Sequence, residues 1–136
     1  MNTKDLFMLA KDAMKNSYAP YSNYNVGAAL LTKNGNIYKG CNIENVSYSV
    51  TNCAERTAIF SAIANGEKEF TAICVVGEKN GEITDYAMPC GVCRQALAEF
   101  CDADFKVYVG ISEDEIKEFT LCELLPYSFD KSKLGE

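Results

Sequence analysis

The sequence contains no histidine and no tryptophan, and its 136 residues include only three prolines. Because histidine is the most common metal ligand, its absence means that any zinc site must be built mainly from cysteine thiolates. No apolar run reaches the eighteen residues that suggest a transmembrane helix, so we expect no membrane span. Asp5, Lys11 and Asp12 interrupt any apolar segment near the N-terminus, so we also expect no signal peptide.

Positive charge is scarce, with 13 basic against 19 acidic residues and a net charge of −6. Nucleic-acid binding depends heavily on lysine and arginine contacts to phosphates, so we expect no polynucleotide partner. A small neutral or cationic molecule suits this charge better. The length is that of one compact unit, and we predict a single domain over residues 1–136.

Cysteine is plentiful, with seven copies. An odd count without a secretion signal argues against a disulfide framework. It favours a location in the reducing cytoplasm, where cysteines remain as buried or metal-bound thiols. Three of the cysteines lie in two short motifs. The other four have no partner at metal-binding spacing, and we predict them to be small buried side chains. These four are Cys41, Cys74, Cys101 and Cys122.

The spacing of apolar residues predicts helices that alternate with buried strands. The first helix is expected over residues 3–17 with Thr3 as its cap, and an Asn34-Gly35 turn is expected to join two strands. The remaining predicted elements are strands at 26–31, 37–42, 71–76, 105–109 and 116–120, helices at 53–64 and from 90, a loop at 77–89, and a helical turn at 121–125. This order predicts an α/β protein, a three-layer α/β/α sandwich.

Two short motifs contain cysteine, the first of them together with an acid, and each stands at the predicted start of a helix. They are Cys53-Ala54-Glu55-Arg56 and Pro89-Cys90-Gly91-Val92-Cys93. Helix side chains tilt toward the N-terminus, so first-turn side chains of two facing helices can converge on one point. Unpaired N–H groups and the helix dipole favour thiolates there. We therefore predict a zinc ion held by Cys53, Cys90 and Cys93.

Three thiolates leave one coordination position open, which is typical of catalytic rather than structural zinc. Water would fill this position, and zinc lowers the pKa of such a water to about 7. Glu55 is the nearby base that could accept the proton. Arg56 could donate to a ligating sulfur and draw negative charge from the metal. Two alternatives stay open, a structural site closed by Cys41 or an acid, and a core without metal.

At these motifs the chain resembles the small homotetrameric zinc-dependent cytidine deaminases. Zinc deaminases share a P-C-x-x-C segment and a glutamate that is not a metal ligand. The resemblance covers nearly the whole chain and implies a mixed five-stranded sheet and one zinc ion per subunit. The segments that carry it, in the family's order, are residues 18–22, 26–30, 40–45, 53–58, 89–95 and 123–126.

The resemblance implies hydrolytic deamination of cytidine and 2′-deoxycytidine to the uridine forms and ammonia, as in pyrimidine salvage. Zinc-bound hydroxide would attack C4 of the ring, with Glu55 as the proton shuttle. It also implies a homotetramer whose active sites are shared between subunits. The substrate contacts it assigns are Asn42 and Glu44 to the ribose 3′-hydroxyl, the Ala54 N–H to the pyrimidine carbonyl, Tyr24 to the base, and Tyr48 and Phe129 to the subunit boundary.

The chain departs from the family's pattern outside the predicted zinc ligands. Tyr24-Asn25 stands where Phe-Pro is usual, Val46-Ser47 where smaller residues are common, and Met88 where serine or threonine is frequent. Two other functions remain as alternatives. One is deamination of another cytosine-bearing small molecule such as blasticidin S, and the other is an inert module that zinc stabilises.

Overall fold

A mixed five-stranded sheet forms the centre of the molecule, with strand order β2-β1-β3-β4-β5. The computed structural model describes residues 1–134. Strands β3 and β4 are parallel, and the other neighbouring pairs are antiparallel. The strands are β1 (Tyr24–Thr32), β2 (Ile37–Cys41), β3 (Phe70–Lys79), β4 (Lys106–Ser112) and β5 (Glu115–Thr120).

Helices cover both faces of this sheet, which confirms the predicted three-layer α/β/α sandwich. Helix α1 packs on one face, whereas α2 and α3 pack on the other. The helices are α1 (Thr3–Ala13), α2 (Ala54–Ala64), α3 (Gly91–Phe100) and α4 (Leu121–Leu124), with 3₁₀ turns at Met14–Asn16, Tyr48–Val50 and Lys131–Leu134. In the described part of the chain, no helix has the length and apolar character that a membrane crossing requires.

The central strands are apolar throughout because both of their faces are covered. In β3, Ile73 and Val75 pack toward α2, whereas Cys74 and Val76 pack toward α1. Successive side chains of a strand point to opposite faces, so a strand between two helical layers needs no polar face. This arrangement explains the continuous apolar run around residue 74.

Several predicted boundaries are wrong by a few residues. The cap of α1 is Asn2, whose Oδ1 accepts from the Asp5 backbone N–H at 2.9 Å, and not Thr3. The helix ends at Ala13 and tightens into a 3₁₀ turn instead of continuing to Ser17. Strand β3 reaches Lys79, beyond the predicted loop start, because its last residues pair with the beginning of β1.

The four cysteines outside the motifs differ in exposure. Cys74 is buried, Cys41 and Cys101 are half-buried, and Cys122 is exposed, so the prediction of four buried thiols is confirmed for Cys74, holds only in part for Cys41 and Cys101, and is wrong for Cys122. The physical reason lies in α4, which is only four residues long and turns that side chain to solvent. All seven cysteines are free.

Gly40 allows the first turn of α2 to lie directly on the sheet. A Cβ at this position would overlap the Ala54 carbonyl oxygen and lie 2.5 Å from the Ala58 nitrogen. Both are backbone atoms of a packed helix, so relief requires α2 to move. We expect Gly40→Ala to lower the free energy of unfolding by about 1–3 kcal/mol, measured by chemical denaturation of the zinc-loaded protein.

Gly91 provides the matched control for this substitution. A Cβ there would meet no atom within 4 Å, and Gly91 is not among the residues with positive φ. Gly91→Ala should therefore change the unfolding free energy by less than about 0.5 kcal/mol. Equal stability of Gly40→Ala and wild type would contradict the close packing of α2 on β2.

Candidate metal centre

Three cysteine sulfurs meet between the N-termini of α2 and α3. Cys53 is the N-cap residue of α2, Cys90 is the N-cap residue of α3, and Cys93 lies in the first turn of α3. The Cys53 and Cys90 Sγ atoms are 3.9 Å apart, and all three sulfurs lie within 4.8 Å of one another. The two helix starts thus bring together cysteines that are 37 residues apart in sequence.

These sulfurs suit a zinc ion. With Zn–S bonds of about 2.3 Å, tetrahedral coordination places two sulfurs about 3.8 Å apart, close to the separation of Cys53 and Cys90. Thiolates are also the donors that favour zinc over hard cations. Within residues 1–134, the cluster includes neither Cys41 nor a carboxylate. The described part of the chain therefore offers three ligands and leaves a fourth position open.

Arg56 lies beside the sulfurs. Its Nη2 is 3.4 Å from Cys53 Sγ and 3.4 Å from the Thr51 carbonyl oxygen. Its Nε is buried and has no hydrogen-bond partner among the described residues. A thiolate cluster, with or without its metal, carries the negative charge that such a guanidinium needs. The surroundings of Arg56 therefore also match a metal centre built from thiolates.

The thiols influence each other's protonation. A hydrogen bond with the Cys93 thiol and the nearby Arg56 lower the pKa of Cys53. The same bond to Cys53, reinforced by burial, raises the pKa of Cys93. The hydrogen bond between the two sulfurs thus favours the thiolate at Cys53 over the thiolate at Cys93.

Glu55 lies in the first turn of α2, where only 4% of its surface is exposed. Burial raises the pKa of its carboxyl to about 7. A buried carboxyl without an ion-pair partner is costly for stability, and such groups are frequent at functional sites. No salt bridge involves Glu55 among residues 1–134.

A cavity of about 300 Å³ opens beside Glu55 and the sulfurs. The structure brings seven of the predicted site residues to its wall, namely Tyr24, Asn42, Glu44, Cys53, Ala54, Glu55 and Cys90. The remaining wall consists of Ser22, Val26, Thr51, Val75, Ala87 and Met88. Residues from β1, β3, the start of α2 and both flanking loops therefore surround one small space next to the proposed metal position.

Asn42 and Glu44 are held in place by backbone groups. Asn42 Oδ1 accepts from Val26 N at 2.9 Å, and its Nδ2 donates to the Tyr24 carbonyl at 2.7 Å. Glu44 accepts from the backbone N–H groups of Tyr21 and Ser22 and from the Ser22 hydroxyl. Burial opposes ionisation of Glu44, but these hydrogen bonds outweigh it and lower its pKa. Both side chains are thus oriented before any ligand binds.

Tyr48 and Phe129 do not reach this cavity. Tyr48 is 75% exposed and lines a neighbouring space of about 310 Å³ with Tyr21. Phe129 is 64% exposed on the C-terminal segment. The single chain therefore places both aromatic side chains outside the space that Glu55 faces.

Sequence reasoning missed the apolar wall formed by Val26, Val75 and Ala87. It also missed Gly77, where a Cβ would lie 2.8 Å from Cζ of Tyr24 and 2.9 Å from Cβ of Ala87. The missing side chain leaves room for the tyrosine ring. A buried strand residue gives no sequence signal that distinguishes a cavity wall from ordinary core.

An open set of thiolates next to a buried acid, reached through a small cavity in an α/β/α fold, places this protein among the zinc-dependent enzymes. Comparison with known proteins narrows this class to one family. The profile described as "Cytidine and deoxycytidylate deaminase zinc-binding region" matches residues 1–110. The chain therefore belongs to the cytidine and deoxycytidylate deaminase family.

Individual relatives agree with this assignment. The chain is 46% identical over 135 residues to a cytidine deaminase of Sporosarcina psychrophila, covering 99% of this chain and 96% of the relative. It is also 46% identical to a cytidine deaminase of Halalkalibacterium halodurans, covering 97% of this chain and 99% of the relative. The crystal structure of cytidine deaminase from Burkholderia pseudomallei superposes with a TM-score of 0.85 at 45% identity, covering 95% and 100% of the two chains.

Proposed function

We propose that this protein hydrolyses cytidine and 2′-deoxycytidine to uridine and 2′-deoxyuridine with release of ammonia. The observation that carries this proposal is the three-thiolate cluster with an open position next to buried Glu55. Its cavity of about 300 Å³ lies at the small end of ligand pockets. The relatives named cytidine deaminase support the choice of substrate.

Glu55 is the proton carrier in the proposed reaction. Bound zinc, held by Cys53, Cys90 and Cys93, would supply an acidified water as the nucleophile for C4. The Glu55 carboxylate takes a proton from the attacking water, delivers it to ring N3, and passes the second proton to the departing amino nitrogen. Water and cytidine are thereby converted into uridine and ammonia.

The other predicted residues orient the nucleoside. The Ala54 N–H lies at the start of α2, where backbone donors have no partner within the helix, and it would bind the pyrimidine carbonyl. Asn42 and Glu44 would bind the ribose 3′-hydroxyl, because both line the cavity and an amide and a carboxylate can donate to and accept from one hydroxyl. Tyr24 would lie against the base, and Arg56 would balance the charge of the thiolates.

The cavity favours a nucleoside over phosphorylated substrates. Its described wall contains the carboxylates of Glu44 and Glu55 and no lysine or arginine. A phosphate would therefore meet negative charge without a compensating cation.

The chain is also 33% identical over 115 residues to a blasticidin-S deaminase of Bacillus cereus. Rates on cytidine and on blasticidin S would distinguish these two substrates.

The direct test of the proposal is the loss of ultraviolet absorbance when the zinc-loaded protein is mixed with cytidine. Release of one ammonia per uridine, abolished by a zinc chelator and restored by added zinc, would support it. A protein that retains one zinc per chain but releases no ammonia from cytidine would contradict it and favour the inert zinc-stabilised module.

We also propose a cytoplasmic homotetramer with shared active sites. The loop after β2 exposes Val46 by 76%, Tyr48 by 75% and Val50 by 62%, and several large apolar side chains exposed on one short loop support association. Light scattering is expected to give four times the chain mass of 15.0 kDa. Val46→Asp should lower this mass and the activity together. A fully active monomer would contradict shared sites.

A further inference from the structure

The side chain of Arg94 connects the metal-binding segment to the C-terminal helix. Its Nε donates to the Pro89 carbonyl oxygen at 2.8 Å, and its Nη1 donates to the Leu124 carbonyl oxygen at 2.8 Å. Pro89 directly precedes the ligand Cys90, and Leu124 is the last residue of α4. One guanidinium therefore links two segments that are more than thirty positions apart in the sequence.

The local environment explains why arginine is suited to this position. Arg94 follows Cys93 in the N-terminal part of α3, where the helix dipole disfavours a cation. Its two acceptors offset this disadvantage, because Pro89 is fully buried and the last carbonyls of a helix lack partners within it. The rigid guanidinium fork can donate in two directions at once, which a lysine ammonium cannot reproduce in the same geometry.

Cys90 is the sulfur ligand that most needs such support. Cys93 is fully buried in α3, and Cys53 contacts Arg56. Cys90 is exposed instead, and it follows a stretch that belongs to no helix or strand between Lys79 and Gly91. An exposed side chain is less constrained by packing than a buried one, so the anchoring of the preceding carbonyl matters more for Cys90 than for Cys93.

We infer that Arg94 is a positioning residue for the metal centre, which holds the Cys90 sulfur toward Cys53 and Cys93 by anchoring the Pro89 carbonyl to α4. This inference rests on the proposed zinc site. It assigns a role to the C-terminal helix, which lies beyond residues 1–110 matched by the family profile. Helix α4 is a firm anchor, because Leu121 is buried and Thr120 forms a capping box with Glu123.

The test compares zinc release from wild type, Arg94→Lys and Arg94→Ala, each loaded with zinc and mixed with a chromophoric chelator. We expect release to accelerate about 10–100-fold in both variants, as is typical when a group that orients a metal ligand is removed. Cobalt substitution gives a second readout. The thiolate-to-cobalt absorption band should weaken or shift in Arg94→Lys, because one of the three sulfurs is less well placed.

Gln95→Ala is the matched control. Gln95 is the next residue of α3 and also holds the C-terminal segment, since its Nε2 donates to the Phe129 carbonyl at 2.7 Å, but it does not bond to Pro89. Its loss should leave the rate of zinc release within about twofold of wild type and the cobalt spectrum unchanged, because no ligand-orienting group is removed.

Two outcomes would overturn the inference. One is wild-type zinc release and an unchanged cobalt spectrum in both Arg94 variants. The other is equal acceleration in Gln95→Ala, which would indicate general loosening of the C-terminal segment. If wild type itself binds no zinc, the proposed function fails as well. If wild type binds zinc and deaminates cytidine while the Arg94 variants match it, the inference alone fails.

Discussion

Replacing Glu55 with glutamine is expected to lower kcat on cytidine by about 10²–10⁴-fold, the range that a general acid–base group contributes. Glutamine has nearly the same shape and can occupy the same buried position, but its amide cannot carry a proton from water to the ring and then to ammonia. The zinc content and the far-ultraviolet circular dichroism should match wild type, because Glu55 is not one of the three clustered ligands. The measurement is steady-state kinetics together with zinc analysis.

Glu67→Gln is the control for this substitution. Glu67 is also buried, but it lies beyond the C-terminal end of α2, a helix about 16 Å long, and so at the opposite end from the first turn that carries Glu55. Its carboxylate accepts from Asn34, Asn36 and Tyr38. Loss of its charge should reduce stability and leave kcat on cytidine near wild type. Full activity of Glu55→Gln would exclude the proposed proton carrier.

The elements that support the site could be predicted from local sequence patterns. Alternating apolar segments indicate strands and helices, and the Asn34-Gly35 turn lies where Gly35 adopts a φ of +86°. The structure places Cys53 and Cys90 at two helix N-termini because each motif immediately precedes a helical apolar pattern. The convergence of the two motifs follows from helix geometry once both starts are known.

Contacts across the sheet and between distant segments could not be predicted in this way. Gly40 looks like an ordinary strand glycine until α2 is packed on it, and Arg94 looks like a solvated helix cation until α4 is placed beside it. The sequence does not show which residue caps α1, because Asn2 and Thr3 are both residue types that favour the N-cap position. The structure selects Asn2, and this choice depends on how the helix packs on the sheet. Such contacts depend on the tertiary arrangement.

Removing the buried sulfur of Cys93 is expected to abolish zinc binding and turnover together. In Cys93→Ala only two thiolates remain, and alanine provides no ligand to replace the third. Zinc analysis after dialysis should give well below one ion per chain, and deamination of cytidine should fall to the background rate. Added zinc should not restore activity, in contrast to wild type after mild chelation.

Cys74→Ala separates loss of a ligand from loss of packing. Cys74 and Cys93 are both 0% exposed, so each substitution removes a buried sulfur of equal volume and costs stability for the same reason. Cys74, however, lies on the face of β3 toward α1, away from the sulfur cluster. The Cys74→Ala variant should therefore keep one zinc per chain and full turnover. Zinc retention by Cys93→Ala, or zinc loss from both variants, would mean that the three sulfurs do not hold the metal as a set.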